Sequence, residues 1–245
     1  MTEISIKAEE LFKIGNFAVT NSLVMTVMVS LLLIGVSLAL SKKISLIPGK
    51  FQSVIEMAVE WFLGLMETTL GSRHAAEKYF PLVATIFLFI MASNLLGIFP
   101  GVGSLVVNNE HGSLPLLRPP AADLNFTLAF AIISVVMTNV IGMMSVGVLP
   151  HVSKFINFKN PITFFIGILE LVSEFAKIIS LSFRLFGNVF AGEVLLTIVF
   201  FLAPYVIPLP FLFLELFVGL IQAFLFAMLT LVSITLHTAT HEEAH

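Results

Sequence analysis

Three ionisable side chains, Arg184, Glu193 and Glu215, stand inside long apolar runs near the C-terminus. A guanidinium stays charged at every accessible pH. At membrane depth it costs about 2.5–3.5 kcal/mol on insertion scales, so Arg184 must face water, a partner or a counter-charge. Carboxyls in the same setting are rare unless they carry protons or ions. With Arg184 at zero and about 100° per residue, Glu170, Ser173, Lys177, Ser180 and Asn188 fall within about 40° of it. Glu193, nine residues on, points to the opposite face. Helical phase therefore argues against a structural Arg184–Glu193 salt bridge, the competing reading of the arginine. Glu215 and Gln222, seven apart, share a face of the last helix, and Ser233 follows on the same bearing. Two polar regions flanking one fixed cation point to two aqueous paths that do not meet.

Packing supplies the alternative readings. Ser173, Ser180 and Ser233 can bond backbone carbonyls, and Asn188 and Gln222 can bridge helices. Glu174 lies off the stripe and, with Lys177, reads as a side chain snorkelling to an interface. His237, His241 and His245 sit with Glu242 and Glu243 in a polar tail that reads as a solvated end rather than a metal site.

The elements that must position these groups are membrane helices. The chain of 245 residues is 58% hydrophobic and 11% charged, where a soluble domain carries about 25% charged residues. Several apolar runs reach the roughly 20 residues needed to cross about 30 Å of hydrocarbon. The absence of cysteine excludes disulfides, thiolate metal sites and haem attachment. The polar N-terminal stretch, with Glu3, Lys7, Glu9, Glu10 and Lys13, lacks the pattern of a removable signal peptide. No phosphate-binding glycine loop or metal-ligand set occurs.

The fold expected is all-α and polytopic, one integral membrane domain over 1–245 with about five membrane helices plus an interfacial helix. A lead covers 1–18. Three spans, at about 19–40, 81–99 and 124–149, and the interfacial helix at about 48–70 lie within 19–160. Glu56, Glu60 and Glu67 share a face of that interfacial helix. A hairpin follows over 161–245. From Pro161 to Pro204 no proline intervenes, and at 1.5 Å per residue some 42 residues make about 63 Å of helix, twice the hydrocarbon thickness. The helix is either broken at Gly187 or Gly192 or is one arm of a long, steeply tilted hairpin; the second is favoured, because membrane helices tolerate single glycines. The loop after the first span carries Lys42, Lys43, Lys50, Arg73 and Lys78, the loop after the third Lys154 and Lys159, and the loop between the second and third only Arg118. The basic loops are expected in the cytoplasm, with the N-terminus outside and the C-terminus cytoplasmic.

Arg184-Leu185-Phe186-Gly187-Asn188 followed by Ala191-Gly192-Glu193 resembles the signature of subunit a of the F-type ATP synthase. Asn94-Leu95-Leu96-Gly97-Ile98-Phe99-Pro100, Ala122-Asp123-Leu124-Asn125-Phe126-Thr127, Glu170 with Lys177, and Gln222-Ala223-Phe224 extend the likeness over nearly the whole chain. The resemblance implies a non-catalytic, ion-translocating stator beside a ring of c subunits, with peripheral-stalk b subunits and the rest of the synthase as partners. The setting it implies is lipid, most simply a bacterial inner membrane, with no cofactor and no nucleic acid. Arg184 would be the fixed cation favouring the deprotonated ring carboxylate as it passes. Glu193 and Glu215 would relay protons from outside, with Asn188 and Gln222 beside them and Asp123 near the mouth. Glu170, Ser173 and Ser180 would line the cytoplasmic path. Glu215 stands where the best-known bacterial pattern has a histidine, so the role carries over while the pH profile can differ. A self-contained secondary transporter is the alternative, but such proteins usually show inverted repeats and none is read here. A purely structural scaffold leaves Arg184, Glu193 and Glu215 without an account.

Overall fold

Apolar runs of helical length become seven α-helices among the described residues. The computed structural model describes residues 8–15, 17–42, 44–45, 47–99, 106–109, 112–155 and 161–238. The helices are α1 (Asn21–Ser41), α2 (Lys50–Leu70), α3 (Arg73–Ile98), α4 (Leu124–Val146), α5 (Val148–Phe155), α6 (Pro161–Leu202) and α7 (Pro208–Thr238). Five of them, α1, α3, α4, α6 and α7, are long and apolar enough to cross a membrane. The protein is an all-α polytopic membrane protein. The more polar α2 is not among the five, in keeping with an interfacial helix.

The described residues also contain two short antiparallel hairpins that hydropathy does not announce. Glu10–Ile14 (β1) pairs with Phe17–Thr20 (β2), turning at Gly15 with φ 64°. Val106–Asn109 (β3) pairs with Gly112–Pro115 (β4). The first lies at the end of the polar lead and runs directly into α1. Thr20 caps α1, its hydroxyl accepting from the Leu23 N–H at 3.3 Å.

Two helix boundaries depart from expectation. The second span starts at Arg73, not Pro81, because Ser72 caps the helix by accepting from the Ala75 N–H at 3.2 Å. Pro81 lies inside, two turns in. The third span ends at Val146, where Gly147 adopts φ 97°, a conformation glycine reaches without steric cost. The chain then turns into α5. Between α2 and α3, Gly71 (φ 77°) caps α2, its N–H bonding Glu67 O at 2.8 Å. This turn lets Arg73 fork onto both Glu60 oxygens at 2.8 Å while its Nε donates to Glu77 at 2.9 Å. The guanidinium holds the exposed Glu60 carboxyl below its usual range. Of the shared acidic face of α2, Glu60 and Glu67 both lie within 4 Å of Arg73.

The first long helix of the hairpin is unbroken. α6 runs 42 residues through Gly187 and Gly192, which settles the choice between a broken helix and a continuous arm. α7 returns antiparallel to it, since Gly192 meets Glu215, Arg184 lies beside Gln222, and Glu174 lies beside His237. A buried core of Ile86, Ile90, Ala131, Val135, Leu185 and Phe226 joins α3 and α4 to the hairpin. A second cluster, around Phe62, Met66, Tyr79, Val83, Leu231 and Ile234, ties α2 and α3 to α7. Paired hydroxyls add directional bonds: Thr127–Ser182 at 3.1 Å and Ser134–Thr230 at 2.8 Å. Large apolar side chains including Val172, Phe175, Ile179 and Phe183 stay exposed along α6, as a lipid-facing or partner-facing helix requires.

Candidate functional site: a polar seam along the hairpin

Phase on α6 sorts the polar residues into three zones. Arg184 is exposed on the outer face of α6 and donates to Ser180 Oγ at 3.3 Å, one turn earlier. No carboxylate lies within ion-pair distance of it among the described residues. Arg184 and Gln222 line a narrow crevice closed by Leu181, Leu185 and Phe226.

Toward the start of α6, a groove of about 340 Å³ runs between α4, α6 and α7. Its polar lining is Ser134, Thr138, Ser173, Lys177, Ser180, Thr230 and Ser233, together with Arg184. Ser173 and Ser180 thus share one wall of the groove, as their helical spacing implies. Glu170, one turn earlier on the same face, is exposed.

Toward the end of α6 the structure brings Glu193 and Glu215 together. The Glu215 carboxylate packs against Gly192, where an added Cβ would come within 2.7 Å of Oε1. Glu215 Oε2 is buried and unbonded among the described residues. Glu193 Oε2 accepts from Arg118 at 3.3 Å, and the Arg118 side chain is only 7% exposed. Arg118 is a site residue that sequence reasoning counted merely as a loop charge. The available signal was its position as the lone basic residue of the loop between the second and third spans. Asn188 lies half-buried between Arg184 and Glu193.

Asp123 is buried and bonded from two sides. It is 6% exposed, accepts from Ser22 Oγ at 2.7 Å, and caps α4 through the Asn125 N–H at 3.0 Å. It anchors α1 to the start of α4, on the chain segment that also carries Arg118.

Two expectations are corrected at the opposite end. Glu174 does not snorkel. It is 7% exposed, accepting from Asn139 at 3.0 Å and pairing with Lys177 at 2.5 Å. Its bearing, about 80° from the Arg184 stripe, aims it into the bundle rather than along the surface. His237 is not part of a solvated tail but is buried within α7, and His151 is likewise buried on α5. His241, Glu242, Glu243 and His245, and the loop charges Lys43 and Lys159, lie outside the described residues. Among the described residues no set of three or more ligand-type side chains could hold a metal ion.

Comparison with known proteins points to one family. The family model "ATP synthase A chain" matches residues 22–235. ATP synthase subunit a of Moorella thermoacetica is 35% identical over 227 residues, covering 92% of this chain and 94% of that one. The Geotalea daltonii subunit a is 36% identical over 219 residues, covering 89% and 85%. The Trichlorobacter lovleyi subunit a is 34% identical over 244 residues, covering 99% and 96%. By these matches over most of its length, and with its five long apolar helices, the chain belongs to the ATP synthase subunit a family.

Proposed function

We propose that this chain is the ion-conducting stator of the rotary synthase, with Arg184 as the fixed cation between two half-channels. One observation carries the reading: an exposed guanidinium without a carboxylate partner among the described residues, set between a polar groove and a carboxylate pair. Its counter-charge is then the ionisable carboxylate of a c-ring subunit sweeping past the outer face of α6. A nearby cation lowers a carboxylate pKa by about 1–3 units, so the ring site gives up its proton beside Arg184 and regains one further on. The groove of Ser173, Ser180 and Glu170 serves the cytoplasmic side. Glu193, Glu215, Asn188 and Gln222 serve the other, with Asp123 and Arg118 holding its outer loop. An unbroken α6 of about 63 Å fits a layer of about 30 Å by lying far over, which spreads the two paths along the ring. The positively charged loops set the N-terminus outside and the C-terminus in the cytoplasm.

The driving force is about 2.3 kcal/mol per charge per 100 mV, so several ions must pass for each ATP. That arithmetic assigns the chemistry to a separate head and the charge transfer to this chain. The test is isolation of the chain from membranes with its associated subunits, followed by ATP-driven acidification of vesicles with and without sodium. A chain that purifies alone, without a c-ring or peripheral stalk, overturns the stator reading. Acidification that persists without sodium assigns the ion as the proton.

The contact between Gly192 and Glu215 gives a local prediction. In Gly192→Ala the new Cβ would sit 2.7 Å from Oε1, 2.9 Å from Cδ and 3.2 Å from Cγ of Glu215. Only the end of a flexible side chain must yield, so the complex assembles normally while the carboxylate swings away from Glu193. A displacement of about 1 Å in a proton-transfer chain costs of the order of tenfold or more. ATP-driven acidification in the variant should fall accordingly at unchanged ATP synthase content. A wild-type rate would show that Glu215 need not stand against Gly192 to conduct.

A further inference from the structure

Glu9, immediately before β1, is locked to the first turn of α1 by its backbone. Its N–H donates to Asn21 Oδ1 at 3.3 Å, and the Asn21 N–H donates back to Glu9 O at 3.1 Å. Asn21 is fully buried, and its Nδ2 donates to Pro115 O at 3.4 Å, at the start of the connection that carries Arg118. The next residue, Ser22, bonds Asp123 at the other end of that connection. Two consecutive residues of α1 thus fasten Glu9 to the segment that reaches Glu193 through Arg118.

The Glu9 side chain takes no part in this fastening. Its Oε2 is buried and unbonded among the described residues, as is Oε2 of Glu215. A carboxylate oxygen withdrawn from water without a donor is unfavourable, so a structural role leaves it without an account. Its neighbour on α6 is another acid. Glu9 stands close enough to Glu193 to repel it through space, and Glu193 does the same to Glu215. The three carboxylates therefore follow one another in that order, from the N-terminal hairpin to α6 and then α7. The adjoining α1 carries no charged side chain from Asn21 to Ser41. The other charges on the elements around Glu9 are Glu10 and Lys13, exposed and paired at 3.3 Å, and Arg118 and Asp123, held by the partners described above.

We propose that Glu9 is the outermost ion-path residue on the Glu193 side, a fixed negative charge that draws cations from the outer bath and passes them to Glu193. The inference rests on the reading that Glu193 and Glu215 conduct. Half-buried overall, Glu9 spans the boundary between bath and interior. A cleft lined by one sign of charge raises counter-ion arrival by about 10–10³-fold, and salt screens the effect. The unbonded oxygen is the atom that receives the arriving ion. The backbone clamp to Asn21 holds the carboxylate in place without occupying that oxygen, so the N-terminal hairpin belongs to the mouth of the path.

The test uses the whole complex reconstituted in liposomes with the outer face of its membrane sector toward the lumen. ATP synthesis is driven by a lumen-high gradient of the coupling ion, which then enters on the Glu9 side. With that ion limiting, Glu9→Gln should synthesise ATP about tenfold or more slowly at low ionic strength. It should also lose the decline that wild type shows as lumenal potassium chloride rises, whereas Glu9→Asp should keep both properties. The backbone bonds to Asn21 survive in either variant, so assembly should be unchanged. Because the chain has no cysteine, Glu9→Cys can be given either charge before reconstitution. An anionic methanethiosulfonate should raise its rate and a cationic one should lower it, with labelled wild-type complex as the control. A structural Glu9 would not sort the two labels by charge. Wild-type rate and salt dependence in Glu9→Gln, failure of that variant to assemble, or labels without a charge order, beside lost synthesis in Arg184→Ala, overturns the role of Glu9 alone. Normal synthesis in Arg184→Ala overturns the ion-path reading beneath it.

Discussion

Replacing Arg184 with alanine should abolish ATP-driven proton pumping and ATP synthesis while leaving the complex assembled. The side chain is exposed on α6 and bonds Ser180 one turn away. Removing such a group from an exposed face changes stability by no more than about 0.5 kcal/mol. The functional cost is of another order. A cation beside a carboxylate shifts its pKa by about 1–3 units, a factor of about ten to a thousand in the population of the charged form. Without it the ring carboxylate has no reason to release its proton at the boundary, and a proton can cross between the two zones without turning the ring. Arg184→Lys should recover only part of the activity, because a desolvated lysine sheds its charge readily whereas a guanidinium does not. ATP-driven vesicle acidification, ATP synthesis and passive leak, each set against immunodetected complex, measure all three effects. Normal coupled pumping in Arg184→Ala would sink the role assigned to it.

Much of this site was legible because membrane helices make phase and length decisive. The absence of proline from Pro161 to Pro204 announced one long arm, and α6 is continuous from Pro161 to Leu202. The 100° step placed Ser173, Lys177 and Ser180 on the face where the groove is found. It also separated Glu193 from Arg184, and Glu193 indeed pairs elsewhere. What phase could not supply was the identity of partners from other elements. Arg118 sits in a proline-rich connection with no helical period, so nothing local shows that it reaches Glu193, 75 residues on. Glu174 was misjudged for a related reason. Its off-stripe bearing already pointed inward, but its character depends on Asn139, 35 residues earlier, and on His237 from the return helix. The break at Gly147 had the same invisibility. Apolar composition continues through Leu149, and only the positive φ of that glycine turns α5 back to bury His151.

Glu193→Gln should slow proton flux by about a hundredfold or more and change its pH dependence, with a separable structural component. An amide cannot take up and release a proton as a carboxyl does, and a positioned acid–base group is worth about 10²–10⁴ in rate. The structural component comes from Arg118, whose 7% exposed guanidinium donates to Glu193 Oε2 at 3.3 Å. Charge-assisted bonds of this kind contribute about 1.5–3 kcal/mol, and removing the carboxylate removes this one. The connection from Pro115 to Asp123, which spans between α1 and α4, should therefore loosen in the same variant. Arg118→Gln separates the two effects, because it removes the same ion pair while keeping the titrating carboxyl. If Glu193 conducts, Arg118→Gln retains most of the flux with a displaced pH profile, and the double variant is no worse than Glu193→Gln. If Glu193 only holds the loop, the two single variants lose flux equally and neither changes its pH dependence. Unchanged flux across pH in Glu193→Gln would remove that residue from the path altogether, leaving Glu215 as the sole carboxylate on that side of Arg184 along the hairpin seam.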